Sequence, residues 1–205
     1  MNAASTERLA EYAQRTGVSH FVYASSGSVY AQVAHPLTEE VGPVQPSGLY
    51  ATTKLISESI LSCYRDYFDI SILRLFVPYG PGQKGRMIPS IINRVREGHE
   101  VVVTNEGQPK SNPIFSEDLV TVIEQALSLP GYHVSNIAGP EVVSIEDIAT
   151  VSARILGVEP VLQRRSDPAL WNLIADTTTM HRTFQLDRMV TPEHGIRRMI
   201  ETGPF

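Results

Sequence analysis

The chain has 205 residues, of which 42% are hydrophobic and 19% are charged, with 14 Gly and 14 Pro. This balance is typical of a globular protein with a sizeable core, and it excludes the collagen-like, disordered and coiled-coil classes. The formal net charge of −5 gives no attraction to phosphate backbones or anionic membranes, so we expect neither nucleic acid nor a membrane as a partner.

The first predicted unit is a helix followed by a strand. Apolar residues recur at helical spacing across residues 6–15, and Gly17 stands where a helix C-cap adopts a left-handed conformation. Residues 20–25 then form a short apolar and aromatic run typical of a buried strand, which ends at Ser26.

An irregular loop and a second helix-then-strand unit follow. Residues 31–47 contain three prolines and no periodicity, and because loops of this length are usually functional, this loop is expected to cover a site. Ser47 is a suitable N-cap for a helix that runs to about residue 66, and residues 70–76 are typical of another buried strand. The face of that helix expected to point inward carries Leu49, Ile56, Ile60, Cys63 and Tyr67.

The same alternation continues to the carboxyl end, with no internal repeat. Ser144 is placed to cap a helix, and Thr191-Pro192 puts a proline in the first turn of the last helix. The remaining predicted elements are helices over 87–97, 116–129 and 144–157 and strands over 101–104 and 134–138. This alternation predicts an α/β fold with a parallel sheet, in which ligands bind at the carboxyl ends of the strands.

Tyr50 and Lys54 stand four residues apart near the start of the predicted second helix, so they share one face. A neighbouring cation and the positive end of a helix both stabilise a phenolate, which lets a tyrosine act as an acid or base at working pH. Ser26, at a strand end, would lie beside the start of this helix in a doubly wound sheet. The alternative is a structural role, in which Tyr50 and Lys54 form an exposed pair on the helix surface and Ser26 belongs to a serine-rich turn.

Four segments carry a resemblance that spans the whole chain. They are residues 21–30, the motif Tyr50-x-x-x-Lys54, residues 73–83 with the pattern Arg-x-Phe-x-x-Tyr-Gly-Pro, and residues 136–141. In order and spacing they resemble the extended short-chain dehydrogenase/reductases, which include NAD-dependent nucleotide-sugar epimerases and dehydratases. The resemblance implies the carboxyl-side portion of a doubly wound, Rossmann-like parallel sheet, with a small α+β substrate-binding region.

The resemblance also implies hydride chemistry on a sugar or nucleotide-sugar, with NAD or NADP as cofactor. Tyr50 would be the general acid or base, Lys54 would support it and hold the nicotinamide ribose, and Ser26 would position the reacting oxygen. The cofactor would contact Ser25, Ser26, Tyr50, Lys54 and Phe76. The substrate would contact Val77, Tyr79, Gln83, Arg86 and Asn112.

The resemblance divides the chain into two parts. Residues 1–79 and 114–138 would form the partial Rossmann-like domain that carries the serine, tyrosine and lysine. Residues 80–113 and 139–205 would form the substrate-binding region. Many relatives dimerise through the two helices that correspond to the first two predicted here, so a homodimer is expected by analogy.

The chain departs from the family pattern at its start. The family's Gly-x-x-Gly-x-x-Gly turn, which binds the pyrophosphate at a helix N-terminus, is missing, and the chain begins at what resembles a later helix. A part of roughly a hundred residues would be absent, leaving an exposed sheet edge. The alternative function is therefore a non-catalytic or partner-dependent half-enzyme, acting as a binding or assembly module or requiring an amino-terminal partner chain.

Two further departures concern the substrate. Val77 stands where many nucleotide-sugar enzymes of this family have Asn, and Ser111 stands where they have an Arg that grips the diphosphate. Residues 80–85 match Gly-x-Gly-x-x-Gly with Glu106 about twenty residues later, but the surrounding residues resemble the family's substrate loop instead.

Other site classes are weakly supported. The six histidines lack ligand spacing and one cysteine, Cys63, cannot form an internal disulfide or a cysteine zinc site, so no metal is expected and a reducing, cytoplasmic location fits best. A serine hydrolase built on Ser26 remains an open alternative, although no Gly-x-Ser-x-Gly surrounds it. The polar start and the lack of a long apolar run predict no targeting or membrane-spanning segment.

Overall fold

The computed structural model describes residues 2–30, 35–40, 46, 48–104, 107–166 and 172–203. The helices in these residues are α1 (Asn2–Thr16), α2 (Gly48–Ser62), α3 (Met87–Arg96), α4 (Ser116–Ala126), α5 (Ile145–Leu156), α6 (Thr178–Thr183) and α7 (Pro192–Thr202). The strands are β1 (His20–Ser26), β2 (Asp69–Leu75), β3 (Val101–Thr104), β4 (Lys110–Ser111), β5 (Tyr132–Ile137), β6 (Val143–Ser144) and β7 (Leu162–Arg165). A short 3-10 turn over Gly27–Val29 directly follows β1.

The main sheet is parallel and has helices on both faces. Its strand order is β1-β2-β5, so that within the described residues β1 is hydrogen-bonded to a strand on one side only. Successive side chains of β2 point to opposite faces: Ile70 and Ile72 pack with α1 and α2, whereas Leu73 packs with α4. This is the doubly wound α/β arrangement that the alternating pattern predicts.

The inward face of α2 differs from the prediction. Leu49 is 80% exposed and Ile56 is 45% exposed, and Cys63 and Tyr67 lie beyond the end of the helix and are also exposed. The buried side chains of α2 are Ala51, Ser57, Glu58 and Leu61. A polar pair therefore points inward, because Ser57 accepts a hydrogen bond from Thr6 of α1 and Glu58 has a buried partner on β2.

The rest of the chain builds a second core beside the main sheet. Helices α3, α5 and α7 pack around buried side chains that include Ile92, Ile148 and Met199. A parallel pair, β3 with β7, and an antiparallel pair, β4 with β6, complete this region. None of the helices in the described ranges is long and apolar enough to cross a membrane.

The predicted helix ends of this second region are confirmed. Ser144 accepts a hydrogen bond from the backbone N–H of Asp147, whose side chain bonds back to Ser144, and Gly157 ends α5 in the left-handed conformation. Thr191 caps α7 with proline in its first turn. The predicted N-cap at Ser47, most of the loop over residues 31–47, and Glu106 lie outside the described residues.

Candidate functional site

A cavity of about 640 Å³ opens at the carboxyl ends of β1 and β2. Its lining residues are Ser26, Tyr50, Val77, Pro78, Gln83, Arg86 and Met87. Ser26 is the last residue of β1, and Tyr50 lies in the first turn of α2. Five predicted site residues therefore meet here, and this is the edge of a parallel sheet where ligands are expected.

Ser26 is fixed by the turn that follows it. Its Oγ accepts a hydrogen bond from the backbone N–H of Ser28 at 3.2 Å and lies 2.9 Å from the Ser28 Oγ. The hydroxyl therefore caps the 3-10 turn while still lining the cavity. An oxygen held in this way can form a hydrogen bond to a ligand hydroxyl or carbonyl without losing its position.

Lys54 lies one helical turn after Tyr50 and bridges α2 to β1. Its Nζ donates a hydrogen bond to the carbonyl oxygen of Ala24 at 2.6 Å. The same atom lies 4.8 Å from the centroid of the Tyr23 ring and 5.9 Å from that of Tyr50. The predicted cation beside the phenol is therefore present, while Tyr50 itself remains 56% exposed.

The two hydroxyls that line the cavity, together with the Lys54 ammonium beside Tyr50, fit the ribose end of a dinucleotide. An ammonium has three N–H donors, and the bond to Ala24 uses one of those on Lys54. The exposed Tyr50 hydroxyl and the Ser26 hydroxyl supply further groups that can donate or accept. These residues would bind the hydroxyls of a ribose and of a second, reacting molecule at one place.

Val77 gives the cavity a strained backbone position. Its φ is 44°, in the left-handed region that β-branched residues strongly avoid. Strain of this kind costs about 1–3 kcal/mol and persists only where the surrounding structure imposes it. Asn would adopt this backbone more easily, so Val77 gives the cavity an apolar side chain at a position where an amide is more easily accommodated.

Gln83 and Arg86 line the cavity before the start of α3. Gln83 Nε2 donates a hydrogen bond to the carbonyl oxygen of Pro78 at 3.0 Å, which fixes its side chain. Arg86 is exposed, and no carboxylate in the part of the chain that the structure describes forms an ion pair with it. The cavity therefore has a guanidinium with free donors for an anionic group.

Two of the predicted cofactor contacts, Ser25 and Phe76, have buried side chains that do not line the cavity. Ser25 is 3% exposed, and its hydroxyl donates to Glu58 Oε1 at 2.5 Å rather than facing the cavity. Phe76 is fully buried and lies under Gly27, where an added Cβ would come within 2.9 Å of the Phe76 ring. Ser25 faces away from Ser26 because successive residues of a strand point to opposite sides, and the Phe76 ring packs under the turn that follows Ser26.

Two predicted substrate contacts are also buried. Tyr79 is 2% exposed, with its hydroxyl against Gly195, and burial raises the pKa of its phenol so that it stays protonated. The Asn112 carboxamide bonds both the N–H and the carbonyl oxygen of Ala175, at 2.9 and 3.0 Å. Both side chains pack inside the fold and do not line the cavity.

Two residues that line the cavity, Pro78 and Met87, were not predicted from the sequence. Each directly follows a predicted site residue in the chain, Pro78 after Val77 and Met87 after Arg86. No group of three or more His, Cys, Asp or Glu side chains within the described ranges is placed to hold a metal ion.

Comparison with known proteins shows which family model and which relatives the chain matches. A family model described as the NAD dependent epimerase/dehydratase family matches residues 1–138. The UDP-glucuronate 4-epimerase of Thermodesulfobacterium geofontis is 28% identical over 208 residues, which cover 97% of this chain and 64% of that protein. The chain spans between 38% and 64% of the length of three curated relatives that it matches, the Thermodesulfobacterium geofontis protein among them.

Solved structures agree on the fold. MoeE5 in complex with UDP-glucuronic acid and NAD is 25% identical with a TM-score of 0.86, covering 98% of this chain and 70% of that one. The UDP-glucuronic acid 4-epimerase from Bacillus cereus in complex with NAD has a TM-score of 0.88 at 24% identity, over 98% of this chain and 66% of that one. At that identity, the second likeness supports the fold alone.

Proposed function

Because the chain belongs to the NAD dependent epimerase/dehydratase family, we propose that it carries the catalytic part of an NAD(P)-dependent epimerase, dehydratase or reductase. The substrate would be a sugar or nucleotide-sugar. The observation that carries this proposal is the meeting of Ser26 and Tyr50 at one cavity, with the Lys54 ammonium 5.9 Å from the Tyr50 ring.

In the proposed mechanism, the chain's own residues bind the reacting oxygen and move its proton. Tyr50 Oη removes the proton from a sugar hydroxyl, or returns it to a carbonyl, while Ser26 Oγ holds the same oxygen by a hydrogen bond. The Lys54 ammonium, 5.9 Å from the centroid of the Tyr50 ring, would donate hydrogen bonds to the hydroxyls of the nicotinamide ribose. NAD, when bound, supplies the hydride acceptor and donor.

The charge of the cavity supports a substrate with an anionic group. Arg86 has free donors there, and its planar guanidinium suits a carboxylate or phosphate. Ser111, which replaces the family's diphosphate-binding Arg, is 7% exposed and belongs to β4. We therefore propose that Arg86 supplies the cation that Ser111 cannot.

We also propose the two-part division of the chain. Residues 1–79 and 114–138 include the main parallel sheet with Ser26, Tyr50 and Lys54. Residues 80–113 and 139–205 contribute most of the second core and the loop that carries Gln83 and Arg86.

The test of the proposed function is turnover by the purified chain. The chain is incubated with NAD and either UDP-glucuronate or UDP-glucose, and the products are followed by proton NMR. The proposal predicts a new sugar signal that depends on both NAD and active chain, and it predicts none with Lys54→Met. Absence of product from a folded chain that binds NAD would contradict it for these two substrates.

A partner-dependent half-enzyme is the second candidate function. It is supported by the position of β1, which carries Ser26 and has a strand on one side only within the described residues. This candidate predicts that the chain alone fails to bind NAD and that an added amino-terminal partner chain restores binding.

We further propose a homodimer formed through α1 and α2. These two helices pack on each other, and each exposes large apolar side chains. The exposed fractions are 56% for Leu9, 65% for Tyr12, 80% for Leu49 and 45% for Ile56. Apolar side chains clustered on adjacent helices favour a partner surface over solvent.

Ile56→Asp is expected to weaken this dimer by about 100-fold in dissociation constant, since a two-fold interface buries the new carboxylate twice. Sedimentation equilibrium measures the effect. Val120→Asp, at a 52% exposed position on α4, is the matched control and should leave the dimer unchanged. A wild-type chain that is monomeric at all concentrations tested would contradict the dimer.

A further inference from the structure

A buried ion pair joins α2 to β2. Glu58 of α2 is 5% exposed and Arg74 of β2 is 6% exposed, and their Oε2 and Nη2 atoms are 2.6 Å apart. Arg74 Nε also donates to both carboxylate oxygens, at 3.1 and 3.2 Å. Burial alone lowers the pKa of a guanidinium, but the hydrogen bonds and charge of Glu58 raise the pKa of Arg74, so the guanidinium stays charged.

The carboxylate of this pair also binds the end of β1. Ser25 Oγ donates to Glu58 Oε1 at 2.5 Å, and the preceding residue, Ala24, accepts the hydrogen bond from Lys54. Lys54 and Glu58 are one turn apart on α2, and so share a face. Helix α2 is thus joined to β1 at two successive residues, immediately before Ser26.

The guanidinium binds the other side of the same segment. Arg74 Nη1 donates to the Tyr30 hydroxyl at 2.8 Å, which in turn donates to Asn136 Oδ1 of β5 at 2.7 Å. Burial raises the pKa of Tyr30, so its hydroxyl keeps its proton. Tyr30 directly follows the 3-10 turn that Ser26 caps. Contacts from one ion pair therefore hold the chain both before and after Ser26.

We propose that Glu58 is a positioning residue of the site: its carboxyl group, shared between Arg74 and Ser25, fixes α2 on the end of β1 and so sets Tyr50 and Lys54 against Ser26. This inference rests on the proposed function, because that function makes these three residues the site. An ion pair buried in this way adds little stability compared with apolar side chains of similar volume, so its value lies in the position it imposes.

Ser25→Ala tests the proposal with a mild change, since it removes the contact with β1 and leaves the ion pair intact. The readout is the fluorine NMR signal of Tyr50 in chain labelled with 3-fluorotyrosine, assigned by its loss in Tyr50→Phe. The expected result is a shifted Tyr50 signal with at least a twofold greater line width, while Tyr12, exposed on α1, stays unchanged. An unchanged Tyr50 signal would overturn the proposal.

Ser152→Ala is the matched control. Ser152 is also fully buried, and its hydroxyl donates to the Ile148 carbonyl within α5, far along the chain from the site. This variant loses one buried hydrogen bond, as Ser25→Ala does, and its Tyr50 signal is expected to match the wild type. A Tyr50 change of equal size in both variants would show a general loss of order and would also overturn the proposal.

The paired variant Glu58→Met with Arg74→Met separates positioning from stability. Apolar replacement of both partners is expected to retain stability but not the wild-type Tyr50 signal. If the chain turns over a nucleotide-sugar, kcat is expected to fall at least tenfold with KM within twofold of wild type. If the paired variant has both the stability and the Tyr50 signal of the wild type, the ion pair has a structural role only and the proposal is overturned. The NMR result decides this even if the wild-type chain shows no turnover, so failure of the proposed function is seen separately.

Discussion

Tyr50→Phe is expected to lower turnover by at least about 100-fold, because general acid or base catalysis by a positioned side chain contributes roughly 10²- to 10⁴-fold. The ring keeps its place beside Lys54, and only the hydroxyl that moves the proton is lost. Tyr50 is 56% exposed, so its hydroxyl adds little to stability, and the free energy of unfolding should stay within about 0.5 kcal/mol. Steady-state kinetics and urea denaturation on one preparation measure both quantities.

Tyr12→Phe is the matched control for this change. Tyr12 is 65% exposed on α1 and does not line the cavity, so both turnover and stability should equal those of the wild type. If Tyr50→Phe keeps full turnover in an active preparation, proton transfer belongs to another group. A hydrolase built on Ser26 would then be tested by labelling with a fluorophosphonate probe.

Arg74→Met has the largest expected effect on stability, a loss of about 3–5 kcal/mol in the free energy of unfolding. The variant leaves the Glu58 carboxylate buried without its cation, at 5% exposure. Urea denaturation of the variant and of the wild type at neutral pH measures the difference.

Two comparisons make this prediction specific. Arg15→Met removes a guanidinium whose side chain is 79% exposed and 3.8 Å from Glu11, and should change stability by no more than about 0.5 kcal/mol. Adding Glu58→Met to Arg74→Met should recover most of the loss, because no unpaired charge remains. A single variant as stable as the wild type at neutral pH would show that Glu58 reaches water once Arg74 is gone.

Local pattern was enough to predict most of the elements and the parallel sheet. Short apolar runs marked β1 and β2, and Gly157 marked the end of α5, because each depends on a few neighbouring residues. The inward face of α2 was predicted wrongly, because apolar spacing identified Leu49 and Ile56 as core. The buried face of α2 is instead the one that carries Glu58, because Glu58 pairs with Arg74 of β2.

One signal for that partner was present in the sequence. Arg74 is a charged residue inside a strand that is otherwise mostly apolar, and a buried charge requires an opposite charge nearby. Glu58 is the acidic residue that lies one turn after Lys54 on α2. Sequence spacing alone could not join them, because the pairing depends on how α2 lies across the sheet.

The candidate site was partly predictable for the same reason. Ser26, Tyr50 and Val77 were found because motifs and strand ends bring them to one edge of the sheet. Motifs do not give the direction of each side chain, and so they do not show that Phe76 and Tyr79, predicted as ligand contacts, have side chains buried in the core.

Calorimetric titration of the folded 205-residue chain with NAD, after any co-purified nucleotide has been removed, tests the central claim most directly. The proposed function predicts micromolar binding that weakens at least tenfold in Lys54→Met and is kept in Tyr50→Phe. NADP, titrated in parallel, shows which dinucleotide is preferred. No binding of either by a demonstrably folded chain would contradict an NAD(P)-dependent enzyme in this chain alone and would favour the partner-dependent half-enzyme.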